Sequence, residues 1–429
     1  MAPGRRQHPM SRRDFLLRAG GTAIAVPSLA AILAACTKPG TGSGVAGASA
    51  SEVRDLLSNP ARPDNPVTLP VFEDPIPTNT PIEEGATLQL YNWKDYLWPK
   101  LYQEFEAKYA DYGVKIEVTT FNDIAQGIQK VSSGQIAADV FFPDPSWIAK
   151  LSVAQLMRPL NHELLPNLAT YYWPEFQNPF YDQGWRYTVP YTIYTTGIAY
   201  RRDHITDDEV RAYDDPYEIL WDPKYTGKVT IYDDYRETIG MSLLKNGIAD
   251  VNTEDPADIQ VAKDDLLALI NATDAQLTIN GIYSKMAQDQ FWVGGSWSGD
   301  IVSAAIYYLP QGVPASVLGY WYPTTGGGMI GNDLMVLLQT GKYPRLAHEF
   351  LNFMLDKTNS YNNFIHFNGY QTPMTSIEPS ALVPDVIPPS LSEAVVNPKY
   401  FDDGRFLLEL TPDGTALWNA AWDEIKAGG

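Results

Sequence analysis

Residues 87–144 read TLQLYNWKDYLWPKLYQEFEAKYADYGVKIEVTTFNDIAQGIQKVSSGQIAADVFFPD, and their rhythm decides the fold class. Leu88 to Asn92 is strand-like. Pro99 opens a helix on which Leu101, Phe105 and Tyr109 recur at i, i+4 and i+8, and Gly113 ends it. Lys115 to Thr120 alternates, with Ile116 and Val118 on one face. A second helix carries Ile124, Ile128 and Val131 before Gly134, and Val140-Phe141-Phe142 is a short apolar strand stopped by Pro143. Strands alternating with helices specify an α/β layer with parallel strands. The pattern returns twice downstream. Val229 to Tyr232 runs into a helix around Thr238 to Leu244, and Phe291-Trp292-Val293 into one near Ile301 to Tyr307. From Thr87 to Gly429 the chain is long enough for two lobes, and it contains no sequence repeat.

Open α/β sheets bind ligands beyond the carboxyl ends of their strands. After the first strand come Trp93, Lys94, Asp95 and Tyr96; after the third, Asp144-Pro145-Ser146-Trp147. After Ile231-Tyr232 come Asp233, Asp234, Arg236 and Glu237; after the Trp292 strand, Trp297-Ser298-Gly299-Asp300. Aromatics and carboxylates thus recur at the positions that face a cleft. A cationic, partly apolar ligand needs that combination: ammonium groups take carboxylate acceptors or aromatic faces, and methylene spacers take flat apolar walls. Each residue also has a plainer reading. Asp234 and Glu237 have the spacing of a capping box, Asp300 suits the first turn of a helix, and each Trp could be core. The tyrosines from Tyr187 to Tyr200 read as strand packing. The coincidence at several strand ends favours a site.

Upstream of this body the sequence reads as an address. Ser11-Arg12-Arg13-Asp14-Phe15-Leu16 is a twin-arginine pattern, implying export after folding. The uncharged apolar run from Ala23 to Ala35 is short for a membrane span. It ends in Leu33-Ala34-Ala35-Cys36, which looks like a bacterial lipobox, with Cys36 as the lipidated residue and residues 1–35 as the signal. Cys36 is the only cysteine, which excludes disulfides and thiolate metal sites from the body. Removing residues 1–35 takes away five arginines and one aspartate, so the net charge of −20 becomes −24. A surface that acidic repels nucleic acid. Residues 36–86 read as a tether, Gly/Ser-rich and flexible at first, then Pro-rich and extended.

The body, roughly residues 87–429, resembles the spermidine/putrescine-binding proteins of ABC transporters. The resemblance rests on Leu90-Tyr91-Asn92-Trp93-Lys94-Asp95-Tyr96, Val189-Pro190-Tyr191, Leu220-Trp221-Asp222-Pro223-Lys224-Tyr225-Thr226-Gly227-Lys228, Trp297-Ser298-Gly299-Asp300 and Gly369-Tyr370-Gln371-Thr372-Pro373, in that order. It implies a two-lobe periplasmic-binding-protein-like fold. Each lobe is a mixed, mostly parallel sheet flanked by helices, and hinge strands cross between them. Residues 87–193 with 334–378 form one lobe, and 194–333 with 379–429 the other. By the same resemblance Trp93, Tyr96, Trp297 and Tyr370 are the aromatic walls, and Asp300 and Asp333 take ammonium groups. Asp234 and Glu237 reach for an amine, Asp144 and Ser146 belong to a ligand-contacting loop, and Glu409 matches a C-terminal polar ligand residue. The implied partners are a polyamine, an ABC permease, and the membrane through Cys36; the chain is expected to be a monomer without a cofactor.

Three positions depart from the family pattern. Lys94 stands where the family has a small hydroxyl residue, Asp144 where it has Ser, and Gly331 where it can carry an aromatic. A binding protein for a sugar or an amino acid is therefore a second reading, and a sensor of the same ligand is another. An enzyme such as a two-carboxylate glycosidase is a third. Against it, no Gly-x-Ser-x-Gly or His-Glu-x-x-His pattern occurs, and His8, His162, His204, His348 and His366 have no metal-ligand spacing.

Overall fold

The computed structural model describes residues 50–170, 172–323 and 327–428; the twin-arginine segment and Cys36 lie outside them. Within them run strands β1 (Thr87–Trp93), β2 (Lys115–Phe121), β3 (Val140–Phe141), β4 (Met157–Arg158), β5 (Thr188–Arg201), β6 (Val229–Tyr232), β7 (Gln276–Thr278), β8 (Val293–Trp297), β9 (Leu318–Trp321), β10 (Met329–Leu338) and β11 (Arg405–Phe406). They form one mixed sheet in the order β2-β1-β3-β10-β5-β8-β6-β7, with β4 and β11 beside β10 and β9 beside β5.

Two parallel wings are visible in that order. β1 pairs in parallel with β2 and β3, and β6 with β7 and β8. β5 and β10 cross from one wing to the other as an antiparallel pair. Thr188 to Thr192 lie opposite Val336 to Asp333, Ile193 to Thr196 opposite Asn332 to Met329, and the register shifts between Asp333 and Leu334. From Thr196 to Tyr200, β5 then pairs with β8. The expected crossing strands are thus hydrogen-bonded into both wings, so the two lobes share one continuous sheet.

Helices cover both wings because their apolar stripes need burial. The helix Pro99–Lys108 buries Leu101 and Phe105, and Phe105 packs edge-on against Phe350 at 5.4 Å. The helix Ile124–Ser132 is capped by Asp123, which accepts from the Gln126 N–H at 2.7 Å, and buries Ile124, Ile128 and Val131. In the other wing Ile259, Ala262, Leu266 and Leu269 of the helix Pro256–Thr273 share a core with the fully buried Trp418 of the helix Pro412–Gly428. Each large side chain so enclosed contributes about 2–3 kcal/mol.

Two expectations are corrected here. The strand expected at Phe291 to Val293 is β8, which begins at Val293 and continues through Gly294, Gly295 and Ser296. Those residues have weak strand preference, but the slot between β5 and β6 imposes the conformation. The second concerns the Pro-rich stretch, read as a tether. That stretch, together with Leu57 just before it, lies against the body. Val67 donates to the Phe180 carbonyl at 2.8 Å and accepts from Gln183 N–H at 2.9 Å. Arg186 and Tyr187 donate to the carbonyls of Leu69 and Pro70, and Leu57, Ala61 and Leu69 are buried. Prolines do keep this arm extended, but the apolar residues between them fill sites on the first wing. Arg62 then reaches the second, donating to the Glu409 carbonyl at 2.9 Å.

Candidate functional site

The loops at the carboxyl ends of β1, β3, β6 and β8 converge with the middle of β5 and β10 on one cavity of about 100 Å³. All but one of the residues singled out above line it: Trp93 at the end of β1 and Tyr96 after it, Asp144 and Ser146 after β3, Asp234 and Glu237 after β6, Trp297 and Asp300 at β8, Asp333 on β10, and Tyr370.

Asp300 lies in the first turn of the helix Ser298–Ser303, as its sequence position suggested, and is buried. Tyr370 donates to its Oδ1 at 2.6 Å and Tyr232 to its Oδ2 at 2.7 Å. Tyr232 in turn accepts from the Trp297 N–H at 2.8 Å, and its ring stacks on the indole at 3.9 Å. Burial pushes Asp300 up to about 7, against the lowering effect of the two phenols. Asp333 accepts from the Tyr96 hydroxyl, which also bonds Thr192. Burial, with the nearby charge of Asp144, raises Asp333 to about 8.

Asp234 is the N-cap of the helix Tyr235–Lys245 and accepts from the N–H groups of Arg236 and Glu237 at 2.9 and 3.1 Å. Glu237 does not close a capping box; it accepts from Thr196 Oγ1 at 2.9 Å and faces the cavity. Of this pair only Asp234 caps the helix, and both line the cavity. Burial raises Glu237 to about 8, helped by the charge of Asp234, and Asp234 itself to about 6. Asp144 caps the short turn Pro145–Trp147 and accepts from Ser146 N–H at 2.8 Å; burial raises it too.

Among the described residues that line the cavity, Arg236 is the one buried cation beside these five acids. Arg236 is buried, stacked over Trp418 at 4.5 Å, and bonded to the Leu408 carbonyl and Asn252 Oδ1 at 2.9 and 2.6 Å. A single guanidinium cannot compensate five carboxylates, and holding several carboxylates charged in a water-poor cavity is costly. The walls are flat aromatic surfaces: Tyr96 stands edge-on to Tyr370 at 5.0 Å, and Trp93 leans on Phe121 at 4.7 Å. The arrangement is built to receive a slim ligand with several positive charges on an apolar chain.

Of the departures, Lys94 is exposed at the rim, so its charge is not enclosed with a bound cation. Glu409 is not among the cavity-lining residues; it pairs with Lys150 at 3.5 Å. Tyr194 and Thr196 do line the cavity and were missed, because the β5 segment reads as apolar packing. The signal that could have found them is their i, i+2 spacing, which puts both on one face of the crossing strand. Among the described residues no group of His, Cys, Asp and Glu is placed to hold a metal ion, and no helix is long and apolar enough to cross a membrane.

Several known proteins are similar to this chain. The spermidine/putrescine-binding periplasmic protein 1 of Haemophilus influenzae is 28% identical over 306 residues, covering 70% of this chain and 78% of that protein. A putrescine/cadaverine-binding protein of Pseudomonas aeruginosa is 26% identical over 348 residues, covering 79% and 93%. A solved ABC-transporter protein of Listeria monocytogenes superposes with a TM-score of 0.68 at 26% identity, covering 79% of this chain and 98% of that one. The profile of the bacterial extracellular solute-binding protein family matches residues 100–386. The chain belongs to that family.

Proposed function

We propose that this protein is the extracytoplasmic receptor of an ABC permease for a linear polyamine such as spermidine or putrescine. The observation that carries the reading is the set of five carboxylates, four of them pushed up to about 6–8, inside one aromatic-walled cavity. A ligand whose ammonium groups replace protons on those acids relieves their mutual repulsion, while its methylenes lie on Trp and Tyr faces. A neutral sugar relieves none of it. The names of the relatives support the same reading. The lobes close about Ile193 and Asp333 on the crossing strands, and the closed form docks on the permease. Export by the twin-arginine signal, anchoring by lipid on Cys36 and action as a monomer complete the proposal.

Thermal melts of the mature chain with putrescine, cadaverine, spermidine, spermine, basic amino acids and common sugars test it. Ligand at a hundred times its Kd adds about 2.7 kcal/mol of stability, so one or more linear amines should raise the Tm by several degrees while sugars leave it unchanged. If no amine shifts the Tm, the reading is wrong.

Affinity should also depend on pH in a defined direction. The amines stay protonated below pH 9, whereas Asp300, Glu237 and Asp333 must give up protons held up to about 7–8. Titration calorimetry should show affinity falling by about tenfold or more from pH 8 to pH 6, with protons released on binding. Stability of the ligand-free protein should move oppositely. These acids titrate near pH 4 when unfolded, so between pH 4 and 8 the folded state holds more protons and stability falls as pH rises.

A further inference from the structure

Tyr194 on β5 lies directly opposite Gly331 on β10, and both line the cavity. A Cβ built on Gly331 would stand 2.6 Å from Tyr194 Cζ and Oη and 2.8 Å from Cε2. No side chain fits at position 331 while this ring is present, so Tyr194 leans across its neighbouring strand and fills that space itself. From there its ring meets Trp297 and Tyr370 edge-on, each at 6.1 Å. These are the aromatics that flank Asp300, one through its partner Tyr232 and one by its own hydroxyl. The carboxylates that act most strongly on the Tyr194 hydroxyl are the other four: Asp333, Glu237, Asp144 and Asp234. The ring thus meets the aromatics around Asp300, while its hydroxyl lies in the field of the other four acids.

We propose that Tyr194 is a specificity-determining residue, a partition that sets the spacing between an ammonium held at Asp300 and one held by the four-acid group. The inference rests on the amine reading above. A ring set against the aromatics around Asp300, with its hydroxyl in the field of the other four acids, forces the ligand chain to run along its face. The number of methylenes between charges then decides whether both ammonium groups reach their acceptors. A chain one methylene too short or too long leaves one charge unpaired inside the cavity. Gly331 makes the partition possible, because any larger residue there displaces the ring.

Calorimetric affinities for diamines of three to six methylenes and for spermidine, on the wild type and on Tyr194→Phe, Tyr194→Leu and Tyr194→Ala, test this. The wild type should separate its preferred spacing from the next by about tenfold or more per methylene. Tyr194→Phe, which keeps the ring and loses the hydroxyl, should keep the rank order. Tyr194→Leu and Tyr194→Ala should compress the discrimination to about twofold. The exchange Tyr194→Gly/Gly331→Tyr, which returns a ring to the same space from the other strand, should restore part of it. A wild type that binds no amine overturns the proposed function. A wild type that binds amines without regard to spacing, or a folded Leu or Ala variant with unchanged rank order and ratios, overturns the role of Tyr194 and leaves the function standing.

Discussion

Asp300→Asn should weaken polyamine binding by about a hundredfold or more and, at pH 8, raise the Tm of the ligand-free protein. The two effects have one cause. Asp300 is 5% exposed and lies between two phenols that already donate to both of its oxygens. An ammonium arriving there finds a preoriented full charge. Asparagine keeps the shape and removes the charge, leaving a desolvated cation facing a dipole; losing one partner of a buried charge pair costs about 3 kcal/mol, or roughly a hundredfold in Kd. Without ligand the sign reverses. Asp300 is held up to about 7, so ionising it at pH 8 works against the folded state, and the variant is spared that cost. The stability difference should shrink as pH falls through 7 and vanish below about 4, where the carboxyl is protonated folded or unfolded. Calorimetry with spermidine and putrescine, and melts at pH 8 and pH 4, provide the readout. An affinity within threefold of wild type would remove Asp300 from the site.

A second large effect is expected from adding one methyl group at Gly299. A Cβ there would stand 2.2–2.4 Å from Cγ, Cδ1 and Cδ2 of Tyr370, far inside van der Waals contact. The Tyr370 ring has no room to retreat. Its hydroxyl is bonded to Asp300, its edge packs on Tyr96, and its backbone N–H is bonded to Asn368 Oδ1 at 3.0 Å. Gly299→Ala must therefore push the phenol off the carboxylate or part the segments that carry them. Overpacking of this kind costs about 1–3 kcal/mol of stability, and a lost hydrogen bond to a charged group about 1.5–3 kcal/mol, so the Tm should fall and affinity should drop by about tenfold to a hundredfold. Gly299→Ala/Tyr370→Ala separates the two terms. Removing the ring should restore thermal stability, while affinity stays low because the phenol is gone. Wild-type affinity in Gly299→Ala would show that these segments do not meet in the bound form.

The parts of this molecule that local sequence can encode were legible. Periodicity placed the β1–helix–β2–helix–β3 unit, and the rule that open sheets bind at strand ends drew together Trp93, Asp144, Asp234, Trp297 and Asp300 before any contact was known. What escaped depends on partners distant in the chain. Tyr194 looks like strand filling until Gly331, on a strand far along the sequence, is set opposite it. Gly294 and Gly295 fell outside the expected strand because the slot that extends them is made by β5 and β6. Composition marked the arm before Thr87 as a tether, since prolines favour extended backbone whether it floats or docks. Only the sites for Leu57, Ala61 and Leu69 decide between the two. Glu409 carried a role by resemblance and an acid's ordinary ambiguity by chemistry; Lys150 claims it.

The docked arm changes how far a membrane-held body can travel. Chain fixed to lipid at the proposed Cys36 and free as far as Thr87 would allow a leash of at most ~175 Å. Because the body takes hold at Leu57, on the helix Ala50–Ser58, the leash ends there: at most ~50 Å of chain to Ala50 and about 10 Å of helix beyond it. The volume searched scales with the cube of that radius, so under the proposed anchor docking would concentrate the receptor around a neighbouring permease by about 25-fold. Loosening the arm at Leu57 or Leu69 would dilute the receptor without touching its ligand.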